Sequence, residues 1–267
     1  MQYPLISEYI EAIHSAEDNF DRLNNLRPVL DDAGAPIMSS GNFAVVFKMT
    51  NGTNDYALKC FLREQEGREE AYRLITESLD TYEKPSYLIS ATYYEKELFV
   101  DSTQTKETEF PVLLMDWVEG LCLEEYIQSI INNKMKLRKL ADDFQKFICW
   151  LLPLHIAHGD LKPDNIIIKS DGSIVLIDYD GMFVPAMFGQ KAREQGTPIF
   201  QYRGRTMDDF DEYIDDYPAV LMLLILKVIS INPSTIDKYL TLNNIDFIRQ
   251  FDNYLEDKQI APLISAY

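Results

Sequence analysis

The chain of 267 residues is poor in cysteine, and the few it has do not suggest cross-links. Cys60, Cys122 and Cys149 are an odd number, lie far apart and fall in apolar segments. This pattern favours buried, reduced thiols over a disulfide framework or a zinc site. We therefore expect a cytoplasmic protein.

Basic residues are also scarce, because 25 Lys and Arg stand against 43 Asp and Glu and leave a net charge of −18. Such a charge repels the phosphate backbone of nucleic acid and anionic membrane surfaces. We therefore expect no nucleic-acid partner and no membrane partner. A protein substrate, if there is one, is expected to be basic.

Long apolar runs are missing as well. The longest, residues 219–226, is interrupted by Lys227 and falls short of the roughly 20 residues of a membrane span. It predicts a buried helix. The first residues lack a basic start followed by an apolar run, so they do not resemble a signal peptide. With 46% apolar residues, the chain can bury a sizeable core.

The pattern of the chain changes after its first third. Strand-like segments predominate between residues 37 and 118, interrupted by one charged helix, whereas helical periodicity predominates afterwards. A second hairpin is predicted around Asp171-Gly172. We expect an α+β fold of two lobes, with an N-terminal extension over 1–36, an N-lobe over 37–118 and a compact C-lobe over 119–267.

The stretch HGDLKPDNIII, residues 158–168, concentrates polar side chains directly before an apolar strand. Phosphoryl transfer needs a base for the acceptor hydroxyl, metal ligands and a cation on the phosphates. Asp160 can act as the base, Lys162 can reach the migrating phosphoryl group, and Asn165 can offer an amide oxygen to a hard cation. Asp178 follows at the far end of the predicted hairpin, which would bring it beside Asn165.

These residues resemble the catalytic and metal-binding loops of eukaryotic-type protein kinases. His158-Gly159-Asp160 stands where that family has His-Arg-Asp, Asp178-Tyr179-Asp180 stands where it has Asp-Phe-Gly, and the spacing between Asn165 and Asp178 matches. The alternative is that both stretches are ordinary polar turns. The segments SGNFAVVF and LIDYDGMFVP are similar to the corresponding segments of a bacterial subgroup of these kinases.

The resemblance implies residues that bind ATP. Lys59 would hold the α and β phosphates, with Glu70 as its partner on the following helix in preference to Glu66 or Glu69. Only one glycine of the phosphate loop is kept. The implied nucleotide contacts in the N-lobe are Ser40, Gly41, Val46, Ala57 and Lys59.

Further contacts follow from the same resemblance. VLLMDWVEG is similar to the linker that binds adenine, with Met115 as gatekeeper and the backbones of Asp116 and Val118 as acceptor and donor. Ile167 and Ile177 would form the floor of the adenine site. Gly196-Thr197-Pro198 resembles the segment that positions the acceptor, and Asp215 would hydrogen-bond the catalytic loop.

The chain also departs from the family. Gly159 replaces an arginine, and the residues after Pro198 lack Ala-Pro-Glu. We predict a Ser/Thr protein kinase that uses ATP and Mg²⁺, or Mn²⁺ as a second ion of that class. A small-molecule kinase is one alternative, because HGD also occurs in such enzymes. A nucleotide-binding scaffold without turnover is the other, because the glycine loop is degraded.

Overall fold

The structure is a computed structural model that describes residues 2–82 and 87–233. The chain divides into two compact units, of which the first contains Met1–Lys84 and Ile89–Val118 and the second Pro85–Leu88 and Glu119–Tyr267. The residues predicted as an N-terminal extension thus belong to the first unit. The part of the predicted helical region beyond residue 233 lies outside the described residues.

The first unit is built on a six-stranded antiparallel sheet with the order β1-β3-β4-β6-β5, in which β2 also pairs with β3. The predicted strands are present, and Asn51–Asn54 form the turn of the central hairpin. The strand β5 is continuous, with a register shift between Tyr94 and Leu98 in its pairing with β6. The strands are β1 Arg27–Pro28, β2 Met38–Ser40, β3 Ala44–Thr50, β4 Asp55–Phe61, β5 Ala91–Phe99 and β6 Glu109–Asp116.

The two faces of this sheet carry different residues, because neighbouring side chains of a strand point to opposite sides. Val45 pairs with Cys60 and Phe47 with Leu58, and all four side chains are buried in one core. Helix α1, Ile6–His14, adds Tyr9 to the same core. The N-terminal segment therefore covers one face of the sheet.

Helix α1 is also tied to the loop between β5 and β6 by one carboxylate. Glu8 caps its own helix by accepting a hydrogen bond from the backbone N–H of Leu5 at 2.8 Å. It also accepts hydrogen bonds from Thr103 N at 2.8 Å, Thr103 Oγ1 at 2.6 Å and Ser102 Oγ at 2.9 Å. The short helix α2, Ala16–Asn19, follows α1 directly.

Helix α3, Arg68–Leu79, begins after Gly67, whose φ of 71° is available to glycine at little cost. Its buried positions are Arg68, Ala71, Tyr72 and Ile75, a spacing that matches one face of a helix. Tyr72 stacks on Tyr93 with the ring centroids 5.9 Å apart. The helix is thereby packed against β5.

The second unit is mostly helical and contains a three-stranded sheet in the order β7-β8-β9. Helix α5 is capped by Asn133, whose side chain accepts a hydrogen bond from Lys136 N. The helix buries a regular stripe that includes Leu137, Phe144 and Leu151. The elements are β7 Leu121–Cys122, α4 Leu123–Ile130, α5 Lys134–Leu151, β8 Ile166–Ile168, β9 Ile174–Leu176 and α6 Asp216–Ile231.

Helix α6 contains the apolar run and is largely buried, as predicted. Among the described residues, no helix combines the length and the apolar character that crossing a membrane requires. The cysteine prediction was partly wrong: all three thiols are unpaired, but only Cys60 is buried, and Cys149 is exposed. Cys149 lies on α5 away from the buried stripe, which an apolar neighbourhood in the sequence did not reveal.

Candidate functional site

The loop of residues 158–165 is held in place by Asp215, the residue that precedes α6. The carboxylate of Asp215 accepts hydrogen bonds from the backbone N–H groups of His158 and of Gly159, the latter at 3.0 Å. The hydrogen bonds predicted for Asp215 are thus confirmed. Burial raises the pKa of Asp215, while the two N–H groups and the charge of Arg205 oppose that change.

His158 fixes the same loop from the other side. One ring nitrogen, Nε2, lies 2.8 Å from the carbonyl oxygen of Ile177, and the ring packs edge-on against Tyr179. His158 is fully buried. It therefore connects the loop of residues 158–165 to the segment that leads to Asp178.

Gly159 occupies a position that no other residue fits. Its φ is 81°, and a Cβ added there would lie 2.0 Å from the carbonyl oxygen of Gly181. The backbones of these two glycines pass in contact, so the arginine expected at this position in related sequences has no space here.

Asp160 is buried beside one cation and one backbone donor. Its Oδ1 accepts the N–H of Thr197 at 2.5 Å, and its Oδ2 lies 2.8 Å from Lys162 Nζ. Burial raises the pKa of the Asp160 carboxyl, but Lys162 and Thr197 together outweigh it and leave the pKa below its usual value. Asp160 is consequently held as a carboxylate.

Lys162 is shared between Asp160 and the segment that contains Thr197. Its ammonium donates a hydrogen bond to Thr197 Oγ1 at 3.0 Å. Burial lowers the pKa of Lys162, while the hydrogen bond and charge of Asp160 raise it to a net value above normal. The carboxylate of Asp160, the ammonium of Lys162 and the hydroxyl of Thr197 are thus gathered at one place in the second unit.

Asn165 and Asp178 stand at the open end of the β8-β9 hairpin. Ile166 pairs with Leu176, and Ile177 N donates to the carbonyl oxygen of Asn165 at 3.0 Å. Asp178 follows at once, in a left-handed conformation with a φ of 66° that is uncommon outside glycine. Strained backbone of this kind is found preferentially at functional positions.

These two residues suit a hard cation. Asn165 Nδ2 donates to the carbonyl oxygen of Asp160 at 2.9 Å, so the amide oxygen is left as the acceptor end of the side chain. The Asp178 carboxylate is the second oxygen donor, and an all-oxygen set favours Mg²⁺. Within 2–82 and 87–233, no three His, Cys, Asp or Glu side chains form a metal-binding group.

Four of the predicted nucleotide residues of the first unit share a sheet face: Val46, Ala57, Lys59 and Met115. Val46 pairs with Lys59, and Ala57 pairs with Met115, so their side chains point to the side opposite the α1 core. Lys59 is only 5% exposed. These residues belong to the first unit, whereas Asp160, Lys162, Asn165 and Asp178 belong to the second.

The glycine loop is a tight hairpin. Ser40 ends β2, and Gly41 N donates to the carbonyl oxygen of Ala44 at 2.9 Å. The exposed Phe43 at the tip packs under the guanidinium of Arg63, 5.6 Å from the ring centroid. The turn is therefore ordered by its own contacts.

The predicted pairing of Glu70 with Lys59 needs correction. The Glu70 side chain is 58% exposed, and its two oxygens accept hydrogen bonds from Arg73 at 2.6 and 2.8 Å. Glu66 and Glu69 are exposed too. Helix α3 is described from end to end, and it carries no carboxylate on its buried face because Tyr72 and Ile75 occupy it.

The predicted adenine residues divide between the units. Met115 is buried in β6, Asp116 ends that strand in an exposed position, and Val118 is half-buried. In the second unit, Ile167 is half-buried between two fully buried isoleucines, so it points to the other side of the hairpin. Ile177 is half-buried at the end of β9.

Sequence reasoning missed two residues of this site. Arg205 is buried, and its Nη1 donates to the carbonyl oxygen of Gly159 at 2.7 Å and to Gln201 Oε1. Neither residue stands in a motif of the resemblance. The sequence feature that could have indicated them is the spacing of Gln201 and Arg205, four residues apart in FQYRGR. The same spacing is also typical of an exposed helix or loop.

Comparison with known proteins points in one direction. A family model described as the ABC1 atypical kinase-like domain matches residues 94–195. A probable serine/threonine-protein kinase of Dictyostelium discoideum is 38% identical over 74 residues, 27% of this chain and 5% of that protein. The serine/threonine-protein kinase pakC of the same organism is 28% identical over 104 residues, 38% of this chain and 21% of its own length.

A third relative is a probable serine/threonine-protein kinase, the MRK1 homolog of Encephalitozoon cuniculi. It is 25% identical over 146 residues, 53% of this chain and 42% of that protein. The chain thus spans less than half the length of each of these relatives. The matches and the combination of an antiparallel-sheet unit with a helical unit support the assignment of this chain to the protein kinase-like superfamily.

Proposed function

We propose that this protein is a phosphotransferase that moves the γ-phosphoryl group of ATP to a Ser or Thr hydroxyl of a protein. The observation that carries the proposal is the buried cluster in which Asp160 contacts both Lys162 and Thr197. Burying a carboxylate and an ammonium is costly and is offset here by their mutual contact. The arrangement supports a role beyond stability because both groups converge on a hydroxyl-bearing segment.

Each residue has a distinct task in this mechanism. Asp160 orients the acceptor hydroxyl and receives its proton, and its low pKa keeps it ionised at neutral pH. Lys162 stabilises the negative charge of the phosphoryl group in transit. Asn165 and Asp178 would hold Mg²⁺, which neutralises charge on the ATP phosphates. Most of the catalysis then comes from fixed charges and positioning.

The first unit supplies the nucleotide contacts in this proposal. Lys59, fixed in the middle of β4, holds the α and β phosphates, and Val46, Ala57 and Met115 on the same sheet face contact adenine. The backbones of Asp116 and Val118 complete adenine recognition. Mn²⁺ is expected to replace Mg²⁺ because it accepts the same oxygen ligands. The enzyme would work in the cytoplasm.

A small-molecule kinase remains the second candidate. The observation that favours it is Gly159, since the sequence His-Gly-Asp is shared with such enzymes and the glycine is required here by the contact with Gly181. The Lys162–Thr197 hydrogen bond favours the protein kinase instead, because it ties the segment that would position the acceptor to the catalytic pair.

Labelled ATP with Mg²⁺ tests the proposal. The wild-type protein is incubated alone and with generic basic and acidic proteins, in parallel with Asp160→Ala, Asp178→Ala and Lys59→Met. We expect transfer to a basic protein and a loss of at least about 1000-fold in all three variants. Asp171→Ala, in the exposed turn of the same hairpin, is the matched control and retains full activity.

The possible results separate the candidate functions. Transfer to small hydroxyl compounds without protein labelling supports the small-molecule kinase. ATP binding without any turnover supports the scaffold. Equal labelling by the wild type and the Asp160→Ala and Asp178→Ala variants contradicts the assigned roles.

A further inference from the structure

Arg205 is a buried arginine that reaches the catalytic loop from a distant part of the chain. Its side chain is 8% exposed, and Nη1 donates to the carbonyl oxygen of Gly159, the residue directly before Asp160. Three carboxylates, those of Asp215, Asp160 and Glu194, act on its charge. Desolvation lowers the pKa of the guanidinium, and these carboxylates compensate for part of the cost.

No side chain at position 159 could supply this cation. A Cβ on Gly159 would collide with the carbonyl oxygen of Gly181 at 2.0 Å. The positive group that contacts the backbone of Gly159 comes instead from another segment of the chain. Arg205 is the residue that brings it there.

Gln201 connects Arg205 to the segment above Asp160. Its Oε1 accepts a hydrogen bond from the same Nη1, and its backbone follows the short 3₁₀ turn Pro198–Phe200. That turn starts at Thr197, whose N–H donates to Asp160. The contacts thus form a closed ring that runs from Asp160 through Thr197, Gln201, Arg205 and Gly159 back to Asp160.

Within this ring, the backbone at Gly196 passes close to Gln201 and Gly159. Gly196 has a φ of 69°, and a Cβ there would lie 2.6 Å from Gln201 Nε2 and 2.7 Å from the carbonyl oxygen of Gly159. In the part of the chain that the structure describes, Arg205 Nε and Nη2 and Gln201 Nε2 have no hydrogen-bond partner. The hydrogen bonds of the pair are therefore incomplete, which argues against a purely stabilising role.

We propose that Arg205, held by Gln201, is a positioning residue that fixes Asp160 relative to the Thr197 segment. This role rests on the proposed phosphotransferase function. Arg205 and Gln201 would hold the acceptor-positioning segment around Thr197 against the catalytic loop, in a chain that lacks Ala-Pro-Glu after Pro198. Neither residue touches ATP or the acceptor in this proposal. They act through Gly159 and Thr197.

The test compares Arg205→Met, which removes the charge and keeps the bulk, with Arg205→Lys, which keeps the charge and loses the fork. For Arg205→Met we expect kcat to fall about 100-fold, the loss expected when a catalytic group is displaced by about 1 Å. KM for ATP stays within about twofold, because the nucleotide residues are elsewhere. Arg205→Lys recovers part of kcat.

A change at the supporting residue adds a graded readout. Gln201→Ala lowers kcat by a smaller factor, because Arg205 keeps its hydrogen bond to Gly159.

Arg68→Met is the matched control. Arg68 is 6% exposed, has an unpartnered Nε within the described residues and bonds to Tyr3 and Arg63 in the first unit. We expect this variant to lower thermal stability and to keep kcat at temperatures where it is folded. An equal loss of kcat in Arg68→Met and Arg205→Met would overturn the positioning role.

Hydrogen exchange separates this inference from the proposed function. In Arg205→Met, the amides of Gly159 and Thr197 should exchange at least about tenfold faster, while α5 exchanges as in the wild type. This measurement needs no turnover. If the wild type transfers no phosphoryl group, the proposed phosphotransferase function is wrong. The hydrogen-exchange measurement still tests the positioning role of Arg205. Unchanged exchange at both amides refutes it.

Discussion

Among single residues, the glycines of the second unit differ in what they demand of the chain. Gly159 and Gly189 have the same φ of 81°, but only Gly159 faces a backbone atom, the carbonyl oxygen of Gly181. The comparison separates the cost of a left-handed backbone from the cost of a collision. That makes the pair a direct test of how closely the catalytic loop is packed.

We predict that Gly159→Ala destabilises the protein far more than Gly189→Ala. The second change strains only the backbone, at a cost of about 1–2 kcal/mol. The first also forces two backbone segments apart and should cost about 4 kcal/mol or more in the free energy of unfolding. Denaturant titration of both variants measures the difference. Equal losses would show that the Gly159–Gly181 contact is not tight in solution.

A second residue, Glu8, links helix α1 to the loop after β5. Four hydrogen bonds, led by that of Thr103 Oγ1, lower the pKa of the Glu8 carboxyl from 4.5 to about 2. A carboxyl with a lowered pKa in the folded state stabilises the fold above its unfolded pKa. That contribution disappears as the pH falls from about 4.5 towards about 2.

We therefore predict that Glu8→Gln lowers the Tm at pH 7 and that the difference from the wild type shrinks steadily below pH 4.5. Thermal unfolding at a series of pH values measures this. Glu11→Gln, at an exposed position of the same helix, is the control and should leave the Tm nearly unchanged. A Glu8→Gln difference that is constant across the pH series would contradict the assignment.

On the level of elements, helix α3 departs most from expectation. Its periodic apolar residues predicted the helix and its buried face, which Tyr72 and Ile75 occupy. The same periodicity directs Glu70 outward to Arg73. In sequence, a glutamate near the start of the helix resembles the partner that Lys59 needs, but only the rotation of the helix decides where it points.

We predict that Glu70→Gln keeps kcat/KM for ATP within about twofold, because an exposed ion pair contributes little. Lys59→Met, by contrast, should abolish detectable transfer. Steady-state kinetics of both variants checks this, with Arg73→Gln as the control for loss of the surface pair. A loss above tenfold in Glu70→Gln alone would mean that the helix turns when nucleotide binds.

The β8-β9 hairpin shows the opposite case. The Asp-Gly turn and the flanking apolar residues predicted it, and pairing of Ile166 with Leu176 follows from the strand register. A hairpin necessarily brings its two open ends together, so the neighbourhood of Asn165 and Asp178 was predictable from local chemistry. Secondary structure alone was sufficient here.

For the whole molecule, the dominant property is the net charge of −18. Exposed carboxylates attract basic partners, and at 0.1 M salt this attraction is largely screened beyond about 10 Å. The net charge affects the rate of association with partners more than it affects the fold.

We predict that phosphorylation of a basic acceptor peptide slows at least about fivefold in kcat/KM between 0.05 and 0.3 M NaCl. A neutral peptide with the same acceptor residue is the control and should change less than twofold. Peptide kinetics at a series of salt concentrations measures both. Equal salt dependence, or preference for an acidic peptide, would contradict the expected choice of substrate.

The sequence by itself determined the local features: strands with alternating apolar residues, helix α3, the hairpin turn, and the spacing of Asp160, Asn165 and Asp178. These follow from periodicity and turn chemistry, which act between residues close in the chain. Only the tertiary structure decided that Cys149 is exposed, that Glu70 faces solvent, and that Arg205 reaches Gly159. Such facts depend on which side chains meet across long separations, where burial and backbone contact select among partners that the sequence leaves equivalent.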